Sequence, residues 1–303
     1  MRGKVDAVQR MQDYIERHLN EPVTLQKLAK AAGYTASHAS RVFKELAGIP
    51  PLDYLRARRL SRAAERLRNH PDRILDVALD AMFGSHEGFT RAFSKQFGIT
   101  PEYYRKNTPP IPLFMPRSAR DYYLYYLKGA TETMEKSCEK NSVNTIFVQV
   151  IERPARKLII QRGKKATHYF EYCEEVGCDV WGILCSIKDA LYEPIGMWLP
   201  ENLQLPGTSV YAQGVEVPVD YRGEIPTGME IIDLSPCKMM VFHGQPYPEE
   251  EMGEAIGAVW DAIEKYTPET YGFKWADQDG PRFQLAPIGE RGYIEARPVQ
   301  AIR

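Results

Sequence analysis

The sequence predicts a multidomain chain: an all-α N-terminal domain with two helix-turn-helix units, then an α+β C-terminal domain. The sheet of the second domain is expected to be antiparallel and built from two strand-strand-helix-strand-strand repeats. Three observations carry this. First, Arg41-Val42-Phe43-Lys44 returns fifty positions later as Arg91-Ala92-Phe93-Ser94, and Gly48-Ile49-Pro50-Pro51 returns as Gly98-Ile99-Thr100-Pro101. Such self-similarity means that one supersecondary unit is used twice. Second, Asn107-Thr108-Pro109-Pro110-Ile111-Pro112 breaks the helical pattern and forces extended chain. Third, from Thr145 onward the apolar spacing changes from helical to strand-like. The expected borders are therefore 1–107, a linker over 108–144, and 145–303.

The N-terminus reads as an amphipathic helix through Val5, Val8, Ile15 and Leu19. Thr24 is placed to cap a short helix from Leu25 through Ala32, and Gly33-Tyr34 makes the turn. A second helix follows from Ala36 to Ala47. It sets Ser37, His38, Ser40, Arg41 and Lys44 off the apolar line of Ala39, Val42, Phe43 and Leu46. Gly48 closes this helix, and Pro50-Pro51 prevent continuation. Residues 52–67 carry Arg56, Arg58, Arg59, Arg62 and Arg66 on a helix that holds the two units apart. In the second copy a helix runs from Ile74 to Ala81, Phe83-Gly84 turns, and Ser85 caps a helix ending at Phe97-Gly98. One extra residue sits in the second turn, so the repeat offset is 49 before it and 50 after it.

The later half also repeats. Residues 152–160 echo 234–242, Val180-Trp181 recurs as Val259-Trp260, and Glu216 recurs as Glu295. Helices are expected over 169–186 and 250–266, backing one antiparallel sheet, with a cleft between the halves as the natural ligand site. In the connecting stretch, Asp121-Tyr122-Tyr123-Leu124-Tyr125-Tyr126 is unusually aromatic, and residues 131–144 read as a polar joint.

The 303 residues suffice for about two domains at ~100–200 residues each. The net charge of −1 hides an asymmetry. Residues 1–110 hold 19 Lys and Arg against 12 Asp and Glu, and the remainder holds 20 against 28. A basic part joined to an acidic part suggests that only the first meets a polyanion. Cys138, Cys173, Cys178, Cys185 and Cys237 form no CxxC pair, which reads as reduced thiols in the cytoplasm and no metal site. No apolar run approaches the ~18 residues of a membrane span. No phosphate loop or Ser/His/Asp order marks a catalytic residue.

Two short helices joined by a tight turn form the unit whose second helix enters the DNA major groove. The residues carrying a resemblance are Leu28-Ala29-x-x-Ala32-Gly33-Tyr34, Arg41-x-Phe43-Lys44 and Gly48-Ile49-x-Pro51-x-x-Tyr54-Leu55-x-x-x-Arg59-Leu60. Arg91-x-Phe93 and Phe97-Gly98-x-x-Pro101-x-x-Tyr104-Arg105 complete the set. Over residues 5–107 the chain resembles the DNA-binding domain of AraC/XylS-family transcriptional regulators. The resemblance implies double-stranded DNA as a partner, RNA polymerase as a further contact, and activation as the effect. It puts Arg41 and Arg91 on recognition helices, where Arg bidentate to guanine is the commonest specific contact. Ser37, His38, Ser40, Lys44, His86, Glu87, Thr90 and Lys95 complete the DNA-facing set. Two departures stand out: some relatives carry tryptophan where this chain has Ser37, and Met82-Phe83-Gly84 reverses the usual Gly-Phe order.

Residues 145–303 resemble the GyrI-like effector-binding domain. That resemblance implies an aromatic-walled cleft with an acidic residue, suited to a small lipophilic and cationic effector, and no cofactor. Aromatic faces attract cations, and a carboxylate supplies the countercharge. The candidates are Trp181, Trp198, Tyr211, Glu216, Trp275, Phe283, Tyr293 and Glu295, together with Trp260; Trp181 and Trp260, at matching helical positions, are balanced between core and pocket. Alternation puts Tyr293, Glu295 and Arg297 on one strand face. If Ile294 and Ala296 face the helices, Glu295 faces the cleft, where Arg297 could neutralise it. Two other readings stay open for this half: a hydrolase using Glu295 with Tyr293 or Tyr211 on a small electrophile, and a protein-docking module.

Overall fold

The computed structural model describes residues 2–116, 145–177 and 179–302. The aromatic run 121–126, the polar stretch 131–144, Cys138 and Cys178 lie outside the described residues. The chain divides into two compact units, residues 1–133 and 134–303.

The first unit is helical: α1 (Arg2–Arg17), α2 (Leu25–Ala32), α3 (Ala36–Ala47), α4 (Pro51–Asn69), α5 (Ile74–Asp80), α6 (His86–Phe97) and α7 (Pro101–Asn107). Local chemistry sets the starts. The hydroxyls of Thr24, Thr35, Ser85 and Thr100 accept from the N–H of Lys27, His38, Gly88 and Tyr103. Each such cap is worth ~1 kcal/mol. Gly48 and Gly98 end α3 and α6 in the left-handed region.

The two tight turns have the same hydrogen-bond frame. Tyr34 N–H donates to the Ala29 carbonyl and Phe83 N–H to the Ala78 carbonyl, both at 2.9 Å. The position that Gly33 fills with φ 72° is filled in the second copy by Met82 with φ 63°. A side chain there costs ~1–2 kcal/mol. Met82 is exposed and recovers little of this by packing. Met82→Gly is therefore expected to raise stability by about 1 kcal/mol, offset in part by glycine's greater chain entropy. A urea midpoint that stays put or falls would show that the Met82 side chain outweighs its backbone strain.

Each unit buries the apolar line expected of its second helix. Ala39, Val42 and Phe43 pack with α1, α2 and α4. Phe89, Phe93, Phe97 and Tyr104 form a chain of ring contacts. Three of the six arginines of α4 are structural. Arg58 is bidentate to Glu16 at 2.7 and 2.9 Å and also donates to the Phe114 carbonyl. Arg59 donates to the carbonyls of Leu19 and Glu21, and Arg66 pairs with Asp72 and Asp80. The chain after α7, assigned to the linker by its prolines, runs back over this unit. Ile111 and Leu113 are buried, and Phe114 meets the Tyr54 ring edge-on at 5.1 Å.

The second unit contains β1 (Phe147–Arg153), β2 (Arg156–Arg162), α8 (Tyr169–Glu175), α9 (Asp179–Ser186), β3 (Ile195–Trp198) and β4 (Tyr211–Val217). It continues with β5 (Glu230–Leu234), β6 (Cys237–His243), α10 (Met252–Lys265), β7 (Phe273–Trp275), β8 (Arg282–Gln284) and β9 (Ile294–Ala301). All strands join one antiparallel sheet in the order β1-β6-β9-β8-β3-β4-β2-β5, with β7 also paired to β9. Three strands follow α10, where the sequence repeat led us to expect two. The halves also exchange strands: β1 pairs with β6, and β5 pairs with β2.

The sheet has two buried faces. On the inner face Leu158 and Ile160 of β2 share one cluster with Met239 and Val241 of β6. Those strands are far apart in sheet order, so the sheet curls around this cluster. The outer face carries the helices: Tyr172, Val180 and Leu184 cover β2 and β4, while Val259 and Ile263 cover β6 and β9. No helix among the described residues is long and apolar enough to cross a membrane.

Candidate functional site

In the first unit, amphipathic folding leaves one polar face on each second helix. On α3, Ser37, Arg41 and Lys44 are exposed, and His38 and Ser40 are half-buried. The Arg41 guanidinium lies 3.0 Å from His38 Nδ1, and the His38 ring stands edge-on to Tyr34. On α6, His86, Glu87, Arg91 and Lys95 are exposed and Thr90 is half-buried. The faces correspond in part, Arg41 with Arg91 and Ser40 with Thr90, whereas His38 matches Gly88 and Lys44 matches Ser94. They differ in charge where Ser37 matches Glu87. Glu87 sits in the first turn of α6. Hydrogen bonds from its own backbone N–H and from Ser85 hold its carboxyl below the ordinary range. Glu87 is thus an acceptor on a face otherwise rich in donors.

In the second unit, strand register assembles the site. A straight cross-strand row runs Gln161, Gln213, Gly196, Gln284, Glu295, Phe242. Directly paired residues share a face. Here it is the outer face, since Phe242 packs with α10 and Tyr211 with α8. Gly196 stands mid-row because a Cβ there would meet the Tyr211 hydroxyl, which crosses the gap to Gln284 Nε2 at 3.3 Å. The Tyr293 hydroxyl lies 2.9 Å from both Gln284 Oε1 and Glu295 Oε2, with one proton to share between these two acceptors. Trp260 Nε1 of α10 donates to the same Glu295 oxygen at 2.8 Å, and Arg282 Nε pairs with the other. Burial pushes the phenols of Tyr211 and Tyr293 well above their ordinary range. Both therefore act as neutral hydrogen-bonding groups. Gln213 is 1% exposed, and neither polar atom of its amide has a partner among the described residues. Buried amides are nearly always satisfied, so this one calls for a partner.

The structure thus gathers Trp198, Tyr211, Trp260, Tyr293 and Glu295, and adds Arg282, Gln284 and Gln213. Trp198 joins through its ring, 5.4 Å from Tyr211, with its Nε1 donating to the Thr167 carbonyl. Trp181 stands at the margin on α9, edge-on to Tyr169 at 6.5 Å. Trp275 lies toward the far end of β9, against Phe242 and under Arg297. Phe283 points to the inner face, packed in the cluster that holds Leu158 and Met239. Glu216 is 2% exposed on that same inner face, held by Arg153 at 2.7 Å and Arg156 at 2.6 Å. The supposition about β9 is reversed. Ile294 and Ala296 face the inner cluster, and Tyr293 and Val299 pack under α10. Glu295 therefore lies on the helix-bearing face. Its ion partner is Arg282, while Arg297 pairs with Asp277 at 2.7 Å. The missed residues had one sequence signal: Arg282 and Gln284 flank Phe283 and so take the opposite face.

A family model described as a helix-turn-helix domain matches residues 28–107. Transcriptional regulator Rob of Salmonella typhimurium is 45% identical over 95 residues, covering 31% of this chain and 33% of that protein. The transposon Tn10 TetD protein of Escherichia coli is 43% identical over 94 residues, 31% of this chain and 68% of that protein. The HTH-type transcriptional activator AarP of Providencia stuartii is 36% identical over 92 residues, 30% of this chain and 68% of that protein. The chain thus spans about a third of the length of Rob in this match.

Proposed function

The chain belongs to the AraC family of helix-turn-helix transcriptional regulators, and from that premise we propose that it is a ligand-responsive activator acting through two recognition helices. The observation that carries the reading is the polar face on each of α3 and α6, with Arg41 and Arg91 at equivalent exposed positions. Two such helices in one chain enter successive major-groove segments about 34 Å apart. RNA polymerase is the partner that activation requires.

The second unit is read as a GyrI-like effector domain. Its single antiparallel sheet with helices on one face supports this, as does the outer-face cluster of Trp198, Tyr211, Gln213, Trp260, Tyr293 and Glu295. The effector is a small aromatic molecule that hydrogen-bonds the Gln213 amide. The hydrolase reading is disfavoured, because Trp260 and Arg282 already engage both Glu295 oxygens. Selection of bound duplexes from a random pool, followed by footprinting, tests the DNA half. Protection is expected over two groove segments one helical turn apart. Protection of a single segment would overturn the two-helix reading.

A further inference from the structure

Glu295 is fully buried, and a cation already sits on it. The Arg282 side chain is 34% exposed and Glu295 is 0% exposed, so the guanidinium lies on the solvent side of the carboxylate. The Arg282 guanidinium carbon is also 5.0 Å from the centroid of the Trp198 ring. A positive group against an aromatic face and beside a buried carboxylate is the arrangement by which proteins hold organic cations. Here the chain fills it from within. An entering cation meets Arg282 before Glu295, and like charges at close range repel. The remaining wall is neutral: Tyr211 and Tyr293 keep their protons, and Gln213 and Gln284 are amides.

We propose that Arg282 is a specificity-determining gate of this site, a resident counter-cation that must leave Glu295 and Trp198 before an organic cation can enter. The inference rests on the reading of the outer-face cluster as the effector site. With Arg282 in place the site favours uncharged aromatic molecules. With Arg282 displaced, the same walls become a cation site.

The test uses the full chain, with tetraphenylphosphonium as the cation and 2-naphthol as the uncharged probe, followed by tryptophan fluorescence and calorimetry. Arg282→Gln is expected to bind tetraphenylphosphonium at least tenfold more tightly than the unaltered chain, with 2-naphthol affinity little changed. Adding Glu295→Gln should abolish the gain, because the gain depends on the uncovered carboxylate. Arg282→Lys keeps a charge beside Glu295 but loses the broad stacked plane, and should fall between the two. That variant keeps the proposal testable if Arg282→Gln folds poorly. The gate is wrong if 2-naphthol binds while neither single variant binds the cation more tightly. If neither probe binds any form, the effector-site reading fails and the gate falls with it.

Discussion

Glu216→Gln is expected to lower the stability of the second unit by about 3–5 kcal/mol, the usual cost of removing one partner from a buried ion pair. The carboxylate stands 2% exposed between two guanidinia, Arg156 at 2% and Arg153 at 8%. Arg156 has further acceptors in the carbonyls of Pro154 and Ser235, both at 3.1 Å. Arg153 lies over the Tyr192 ring at 3.8 Å but has no second carboxylate among the described residues. Glutamine offers one carbonyl oxygen and turns an amide N–H toward a guanidinium, donor against donor. Two cations are then left in an apolar interior. A unit of this size should lose roughly 6–20 °C of melting temperature. Glu295→Gln should cost less, because its partner Arg282 is a third exposed and water can solvate it. A thermal melt of both variants checks the contrast. Equal, small losses would mean that Glu216 does not anchor the inner face.

Arg41→Ala and Arg91→Ala should each weaken specific DNA binding by ~1–3 kcal/mol and relax base preference at separate positions. Both side chains are exposed, so truncation creates no cavity and melting should be unchanged. The helices lie in different repeats, so the losses should add in the double variant. Selection from random duplexes separates this from a phosphate role. A base contact changes the preferred sequence at one end of the site, whereas a phosphate contact lowers affinity for all sequences and flattens the salt dependence. If both variants select the same site as the unaltered chain, recognition resides on other faces.

The helical unit was largely legible because its signals are local. Thr24 and Ser85 cap, Gly33, Gly48 and Gly98 stop, and Phe43 and Phe93 fall on the same apolar line in both copies. Even the irregular second turn announced itself, through the one-residue change of offset, which falls at Gly84 between Phe83 and the Ser85 cap. The second unit was legible as strands and helices, but not as faces. In a strand, a shift of one residue exchanges inside for outside. Glu216 and Glu295 echo each other in sequence, yet β4 turns the first to the inner cluster and β9 turns the second to the helices. Phe283 attracted attention as an aromatic, whereas its neighbours Arg282 and Gln284 join the site. Only the register of β3, β8 and β9 brings those groups together, and register between distant strands leaves no local mark.

The crossed pairing of β1 with β6 and of β2 with β5 has a consequence for how this unit forms and fails. Neither half can complete its own hydrogen-bonded ladder, so a chain truncated after β4 would leave β1 and one edge of β2 without partners. Both must wait for segments synthesised much later. Closing such distant contacts delays their reward, which slows acquisition of the native state relative to the helical unit. The same interlock should make unfolding of this unit a single cooperative event.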